Sequence, residues 1–370
     1  MPIDRSGSIL FTPVRIGTLT IPNRFVRSAT HEYMAEDDGT VKPRLAALYH
    51  ELAEGGIGLL ISGHFNVLPE GKASPRQTGI FDDRFIPGLK SLPRAVHDFP
   101  TRIFAQLAHA GRQTKTKLIG ETPIAPSAVY EPTVKLMPRE AAAADITHII
   151  DAFVQSARRA REAGFDGAQL HVAHGYLLST FISPYTNRRT DEWGGTTEKR
   201  ARIVVEIIRG IKARDPLFPL IAKLNSDDFL EGGLRIEESI EIARLLERAG
   251  LDGIEVSGGT AEAGKGSIWA GLRAEEDEGY FILAAQRIKA AVKIPVFGLG
   301  GNRTFAAMER FVGEGRVDLI SLSRPLIREP HLVRRFRLGE IVKSSCISCN
   351  KCNNPRGISC GDLKVQARRT

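Results

Sequence analysis

His171, His174 and Tyr176 follow one another at the end of an apolar run, and their types and spacing admit three chemistries. Neutral imidazoles this close can share a metal ion with a carboxylate. They can equally donate hydrogen bonds to an oxygen that gains negative charge as a reaction proceeds. A pair of satisfied core histidines is the third reading, and spacing alone does not choose among them. Tyr176 adds a phenol, which beside a reacting carbon serves as a general acid.

Other residues suit the holding of a ligand. Gln106 offers an amide donor and acceptor and Lys223 a cation, a combination matched to a heteroaromatic ring with an imide edge, such as that of a flavin. A cation at the pyrimidine end of such a ring favours its anionic reduced form. Gly300 and Gly301, followed by Asn302, let backbone N–H groups approach a ligand closely. Arg324 beside Ser323 adds a guanidinium fork, so these two stretches read as a phosphate site. Each residue taken singly also fits an ordinary polar lining position or a tight turn.

All four cysteines, Cys346, Cys349, Cys352 and Cys360, fall near the C-terminal end. Such clustering reads as a metal or redox site more than as a disulfide framework. The spacing C-x2-C-x2-C-x7-C is compatible with a [4Fe–4S] cluster, with zinc, or with unligated thiols.

Eight short β-rich apolar runs, bounded by Gly, Pro or polar residues, must position these groups. They are Arg24 to His31, Ile57 to Phe65, Arg102 to His109, Phe165 to Val172, Leu220 to Ser226, Leu251 to Ser257, Ile294 to Gly300 and Val317 to Ser323. Helical stripes lie between them. Ile146, Ile149, Ile150, Phe153, Val154 and Ala157 form one, with Asp145 expected as N-cap and Gly164 as the end. Ile203, Val204, Ile207, Ile208 and Ile211 form another between Thr196 and Asp215, stopped by Pro216. The segments EAGFDGAQL, RAGLDGIEV and GRVDLISL repeat one helix-to-strand entry. Eight regular units predict an α/β fold, a TIM (β/α)8 barrel over 1–340 with a short cysteine-containing tail at 341–370; a doubly wound open sheet is the alternative. In a barrel the chemistry lies at the C-terminal strand ends, where all the groups above stand, and phosphate commonly binds after strands seven and eight. Two long loops, 110–144 and 173–195, are placed to cover that site.

The 370 residues, 42% hydrophobic and 25% charged, have the profile of a globular protein. The net charge of +8 is dispersed, its densest groups being Arg158, Arg159, Arg161 and Arg334, Arg335, Arg337, so no nucleic-acid partner is expected. No apolar run reaches the ~18 residues needed to span a bilayer, and Asp4 and Arg5 stand where a signal peptide would be apolar. A cytoplasmic location is expected.

The stretch HVAHGYLLSTFISPYTNRRTDEWGG, residues 171–195, closely resembles the signature of the Old Yellow Enzyme family of FMN oxidoreductases. NRF at 23–25, QLAHAGR at 106–112 and SRPLIREP at 323–330 fall in register with it. The resemblance implies noncovalent FMN contacted by Ala29, Thr30, Gly63, Gln106, Lys223, Gly301, Asn302, Ser323 and Arg324. It also implies that His171 and His174 hydrogen-bond the carbonyl oxygen of an activated alkene and that Tyr176 supplies a proton, so that a metal at the pair is not expected. NADH or NADPH would reduce the flavin, and a small α,β-unsaturated molecule would take the hydride. His31 stands where many members carry Thr or Cys and resembles the branch containing bacterial 2,4-dienoyl-CoA reductase; near the flavin it would tune the potential. That branch also binds a [4Fe–4S] cluster, through a wider C-x2-C-x3-C spacing. A cluster here would draw electrons from a nicotinamide or an external redox partner. The competing functions are an amine dehydrogenase or demethylase running the flavin oxidatively, a flavoprotein electron carrier and, more distantly, a metal-dependent barrel hydrolase. Whether the chain forms a homo-oligomer is left open.

Overall fold

Each expected apolar run holds one strand: β1 Phe25–Arg27, β2 Leu59–Asn66, β3 Arg102–Ala108, β4 Gly167–Val172, β5 Leu220–Asn225, β6 Gly253–Ser257, β7 Val296–Gly298 and β8 Leu319–Leu322. The computed structural model describes residues 4–264, 268–272, 274–352 and 354–366. All eight strands are parallel and pair with their sequence neighbours. β8 returns to β1 with Ile320 opposite Phe25 and Leu322 opposite Arg27, so the sheet closes on itself. That closure removes the open-sheet alternative.

The crossovers carry helices α1 Pro43–Glu54, α2 Ser91–His97, α3 Ala143–Ala163, α4 Thr197–Arg214, α5 Ile236–Arg248, α6 Ile282–Lys289, α7 Phe305–Gly313 and α8 Leu332–Arg337. α3 buries Ile146, Ile149, Phe153, Val154 and Ala157 against the strands and stops at Gly164, whose φ of 94° an L side chain would resist. Its start differs from expectation. Asp145 lies inside the first turn, where its carboxylate accepts from the Ala142 N–H at 2.7 Å and complements the positive helix end, and Ala142 takes the N-cap position. α4 begins at Thr196 as read, the hydroxyl accepting from Lys199 N–H.

The barrel interior changes character along its axis because strand side chains alternate with a period of two. Val26, Phe104, Ile221 and Leu319 pack in an apolar lower layer. Two residues on, the same inward positions are Ser28, Gln106, Lys223 and Ser321, all buried. The N-terminal hairpin, Val14–Ile16 paired with Leu19–Ile21, plugs the bottom by placing Ile16 and Ile21 in that lower layer. Buried polar groups must find partners or a ligand, so the barrel presents its chemistry at the opposite, C-terminal end.

Both long loops carry structure of their own. The first holds a two-stranded ladder, Ile124–Ala125 with Arg139–Glu140. It is pinned by fully buried Arg112, which pairs with Glu131 and with Glu262 beyond β6. The second holds the buried helix Leu177–Ile182. The tail starts against the loop after β7, Ser344 N–H donating to the Arg303 carbonyl at 2.9 Å; its residues 353 and 367–370 lie outside the described residues. Among the described residues no helix is long and apolar enough to cross a membrane.

Candidate active site

A cleft of about 600 Å³ opens at the C-terminal mouth. Ala29, Thr30, His31, Gln106, His171, His174, Tyr176, Lys223, Gly301, Asn302, Ser323 and Arg324 line it, bringing together all but two of the expected site residues of the barrel. Gly63 and Gly300 stand behind the wall. Gly63 gives its N–H to Glu32 Oε1 at 3.0 Å, and a Cβ there would lie 1.9 Å from Glu32 Oε2, so the position leaves no room for a side chain. Gly300, at φ 120°, turns the chain so that Gly301 faces the cleft.

Gly63 also belongs to a β-bulge. Ile61 pairs with Phe104 but His64 with Gln106, so β2 carries one extra residue, and the bend brings His64 into the mouth. Sequence alternation alone missed His64. Its environment fixes its tautomer: Ala73 N–H donates to Gln77 Oε1 at 2.7 Å, which turns the Gln77 amide nitrogen toward His64 Nδ1, also at 2.7 Å. The imidazole proton is therefore on Nε2, 3.4 Å from the Tyr176 hydroxyl oxygen. An N–H aimed at that oxygen turns the phenolic hydrogen away, toward the cleft.

The two expected histidines meet edge to face, ring centres 5.1 Å apart, with the Tyr176 ring 4.7 Å from that of His171. Ala173 N–H donates to His171 Nδ1 at 3.3 Å, which leaves the proton on Nε2. His174 holds a φ of 64°, a strained value for a non-glycine residue, and is clamped by Asn225 Oδ1 at its N–H and by Ser257 Oγ 2.7 Å from Nε2. Burial, joined by neighbouring His and Lys charges, lowers both imidazoles, His174 to about 3. Both are thus neutral imidazoles. Burial followed by Tyr33 pushes the Tyr176 phenol above its ordinary value, which keeps it protonated.

Below this group runs a buried polar chain. Lys223 Nζ lies 2.8 Å from Ser28 Oγ and 3.2 Å from Glu255 Oε2. Gln169 Nε2 donates to Glu255 Oε2 at 2.9 Å, and Gln106 Nε2 donates to Gln169 Oε1 at 2.7 Å. Sequence reading found Gln106 and Lys223 but not Gln169 or Glu255. At the far end Asn302 staples β7 to β8 through Gly298 and Ser321 carbonyls, leaving its buried Oδ1 without a partner. Thr30 and Ser323 share a 2.9 Å hydrogen bond, and Arg324 reaches the Trp269 carbonyl and Asn350 Oδ1. An orphaned acceptor, a glycine turn, a guanidinium, an amide and an ammonium around one cleft fit a phosphate-bearing planar ring such as the expected FMN.

The cysteine tail abuts this end, with Ser348 in the cleft wall. Cys346 and Cys360 are buried, and burial, then the other three cysteines, pushes the Cys352 thiol up to about 11. Among the described residues no three His, Cys, Asp or Glu side chains stand in a group that could hold a metal ion.

One stability effect follows from the buried imidazoles. Burial lowers the pKa of His31, His64, His109, His171 and His174; His64 falls to about 4 and His109 to about 3. The unfolded chain takes up these protons below about pH 6.5 while the folded chain resists. Stability is therefore complete above that pH and declines as pH falls toward 4, each group contributing at most about 1.4 kcal/mol per pH unit. His97, raised by Asp166, opposes with a single group. Thermal melting of the protein is expected to fall steeply from pH 7 to pH 5; a level melting temperature over that interval contradicts the five neutral imidazoles.

Comparison with known proteins extends the geometry. A family model described as NADH:flavin oxidoreductase / NADH oxidase family matches residues 9–340. The NADH oxidase of Thermoanaerobacter brockii is 40% identical over 347 residues, covering 92% of this chain and 52% of that protein. A 2-naphthoyl-CoA reductase solved with 2-naphthoyl-CoA superposes with a TM-score of 0.86 at 31% identity, covering 94% of this chain and 54% of that one. The old yellow enzyme homologue from Zymomonas mobilis gives 0.80 at 27% identity, covering 95% and 97%. The chain spans about half the length of the first two.

Proposed function

Because the chain belongs to the NADH:flavin oxidoreductase / NADH oxidase family, we propose that it is an FMN-dependent NAD(P)H oxidoreductase that reduces the C=C bond of α,β-unsaturated carbonyl compounds. The observation that carries this reading is the convergence of two neutral imidazole donors and one protonated phenol on a single cleft, beside Gln106 and Lys223. FMN, when bound, supplies hydride transfer from a nicotinamide and onto an alkene. Gln106 and Lys223 hold its ring edge, Ala29 and Thr30 line its path, and Gly301, Asn302, Ser323 and Arg324 hold the phosphate. His31, stacked on His64 with ring centres 4.5 Å apart, lies where it can tune the ring.

His171 and His174 donate N–H to the substrate carbonyl oxygen and stabilise the negative charge that gathers there when the β carbon receives hydride. Tyr176 delivers its proton to the α carbon, and His64 Nε2–H then stabilises the phenolate left behind. An amine substrate would leave both N–H donors unused, which favours the reductive direction. The tail thiols stay outside this reaction. Iron, sulfide and zinc content of anaerobically purified protein distinguishes cluster, zinc and free-thiol forms.

The cofactor assignment is tested by titrating apoprotein with FMN and with riboflavin. Arg324→Ala is expected to weaken FMN roughly 10- to 100-fold, the worth of charge-assisted hydrogen bonds, with little change for riboflavin. Equal losses for both ligands contradict the phosphate role, and wild-type apoprotein that takes up no FMN overturns the function.

A further inference from the structure

We infer that Glu255, a residue that need not touch cofactor or substrate, is a positioning residue that sets both the hydrogen-bond polarity of Gln106 and the effective charge of Lys223. The inference rests on the FMN reading above. Glu255 is wholly buried within the barrel, on β6, and the chain it heads crosses four consecutive strands: Glu255 and Lys223 are register partners on β6 and β5, as are Gln169 and Gln106 on β4 and β3. A carboxylate inside a barrel is costly unless paired, and here Lys223 and Gln169 pair it.

The first consequence is directional. Burial by itself would raise the Glu255 carboxyl, but Lys223 and the hydrogen bonds it receives overcome this and hold it below the ordinary value, so it is ionised. A carboxylate only accepts. Gln169 must then turn its NH2 toward Glu255 and its oxygen toward Gln106. Gln106 must answer with NH2, which leaves Oε1 as its acceptor at the cleft. A ring bearing an N–H between two carbonyls matches that acceptor; a ring methylated at this nitrogen does not. Glu255 thus selects a ligand feature through two intervening amides.

The second consequence is electrostatic. The carboxylate lies 3.2 Å from the ammonium of Lys223 and offsets the cation at the ring edge. Deleting its charge leaves Lys223 uncompensated in a low-dielectric site, which favours an anionic reduced ring.

The experiment uses FMN-loaded protein, with midpoint potential and the affinity ratio of FMN to N3-methyl-FMN as readouts. Glu255→Gln preserves volume but removes the charge and the enforced direction. It is expected to raise the potential by about tenfold in the reduction equilibrium, about 30 mV for a two-electron couple, and to shrink the affinity ratio about tenfold. Gln169→Met keeps Glu255 beside Lys223 and breaks only the amide chain, so the ratio should shrink while the potential holds; it also serves if Glu255→Gln does not fold. An unchanged ratio in Gln169→Met overturns the polarity relay, and an unchanged potential in folded Glu255→Gln overturns the charge role. Wild-type protein that fails to load FMN sinks the underlying function instead, a result distinct from either.

Discussion

Replacing Tyr176 by Phe should slow oxidation of the reduced holoprotein by an enone about 10²- to 10⁴-fold, the usual worth of a positioned general acid. Reduction by NADPH should stay within a few-fold, because taking hydride from a nicotinamide requires no proton from this phenol. The asymmetry follows from geometry. Tyr176 is the protonated group beside His171, its pKa lifted by burial, and His64 Nε2–H, 3.4 Å away, turns the phenolic hydrogen toward the cleft. Anaerobic stopped-flow at the flavin absorbance, run separately for each half reaction, measures it. Equal slowing of both halves assigns Tyr176 a general binding or packing role.

His171→Ala carries the second large effect, an expected loss of about 10²- to 10³-fold in the enone half reaction, comparable to removing one donor from an oxyanion hole. Its Nδ1 is occupied by the Ala173 N–H, so Nε2–H is its available donor. His171→Asn retains a neutral N–H donor and should recover part of the rate. The same logic sets the pH response: both imidazoles are neutral across ordinary working pH, with His174 at about 3, so the rate should show no step near pH 6.5 from either residue. Failure of Asn to recover more than Ala, or a step near pH 6.5 that His171→Asn abolishes, identifies His171 as an acid or base and not as a neutral donor.

The barrel was legible because its strands are short apolar runs ending in polar residues, and each run held its strand. Gly164 and Thr196 were readable as helix boundaries for the same local reason, a left-handed turn and a hydroxyl cap. Asp145 was misplaced because an acidic residue suits both the cap and the first turn. The hairpin that plugs the barrel consists of two three-residue strands, too short for periodicity to register. His64 escaped because a bulge, which depends on Glu32 and Tyr49 behind Gly63, breaks the alternation that would have oriented it. Gln169 and Glu255 did carry a signal: each is a polar residue in the middle of a buried strand, GAQLHV and GIEVS, where only a partnered inward group can stand. The four cysteines were found by clustering, but spacing could not say that Cys346 and Cys360 would be buried.

The most direct test mixes anaerobic, FMN-loaded wild-type protein first with NADH or NADPH and then with a panel of enones, enoyl thioesters and amines. Bleaching by a nicotinamide followed by rapid recovery with an α,β-unsaturated carbonyl, and not with an amine, is the predicted result. Bleached protein that no activated alkene reoxidises, or that requires an added redox protein to turn over, contradicts the assignment of His171, His174 and Tyr176 to alkene reduction.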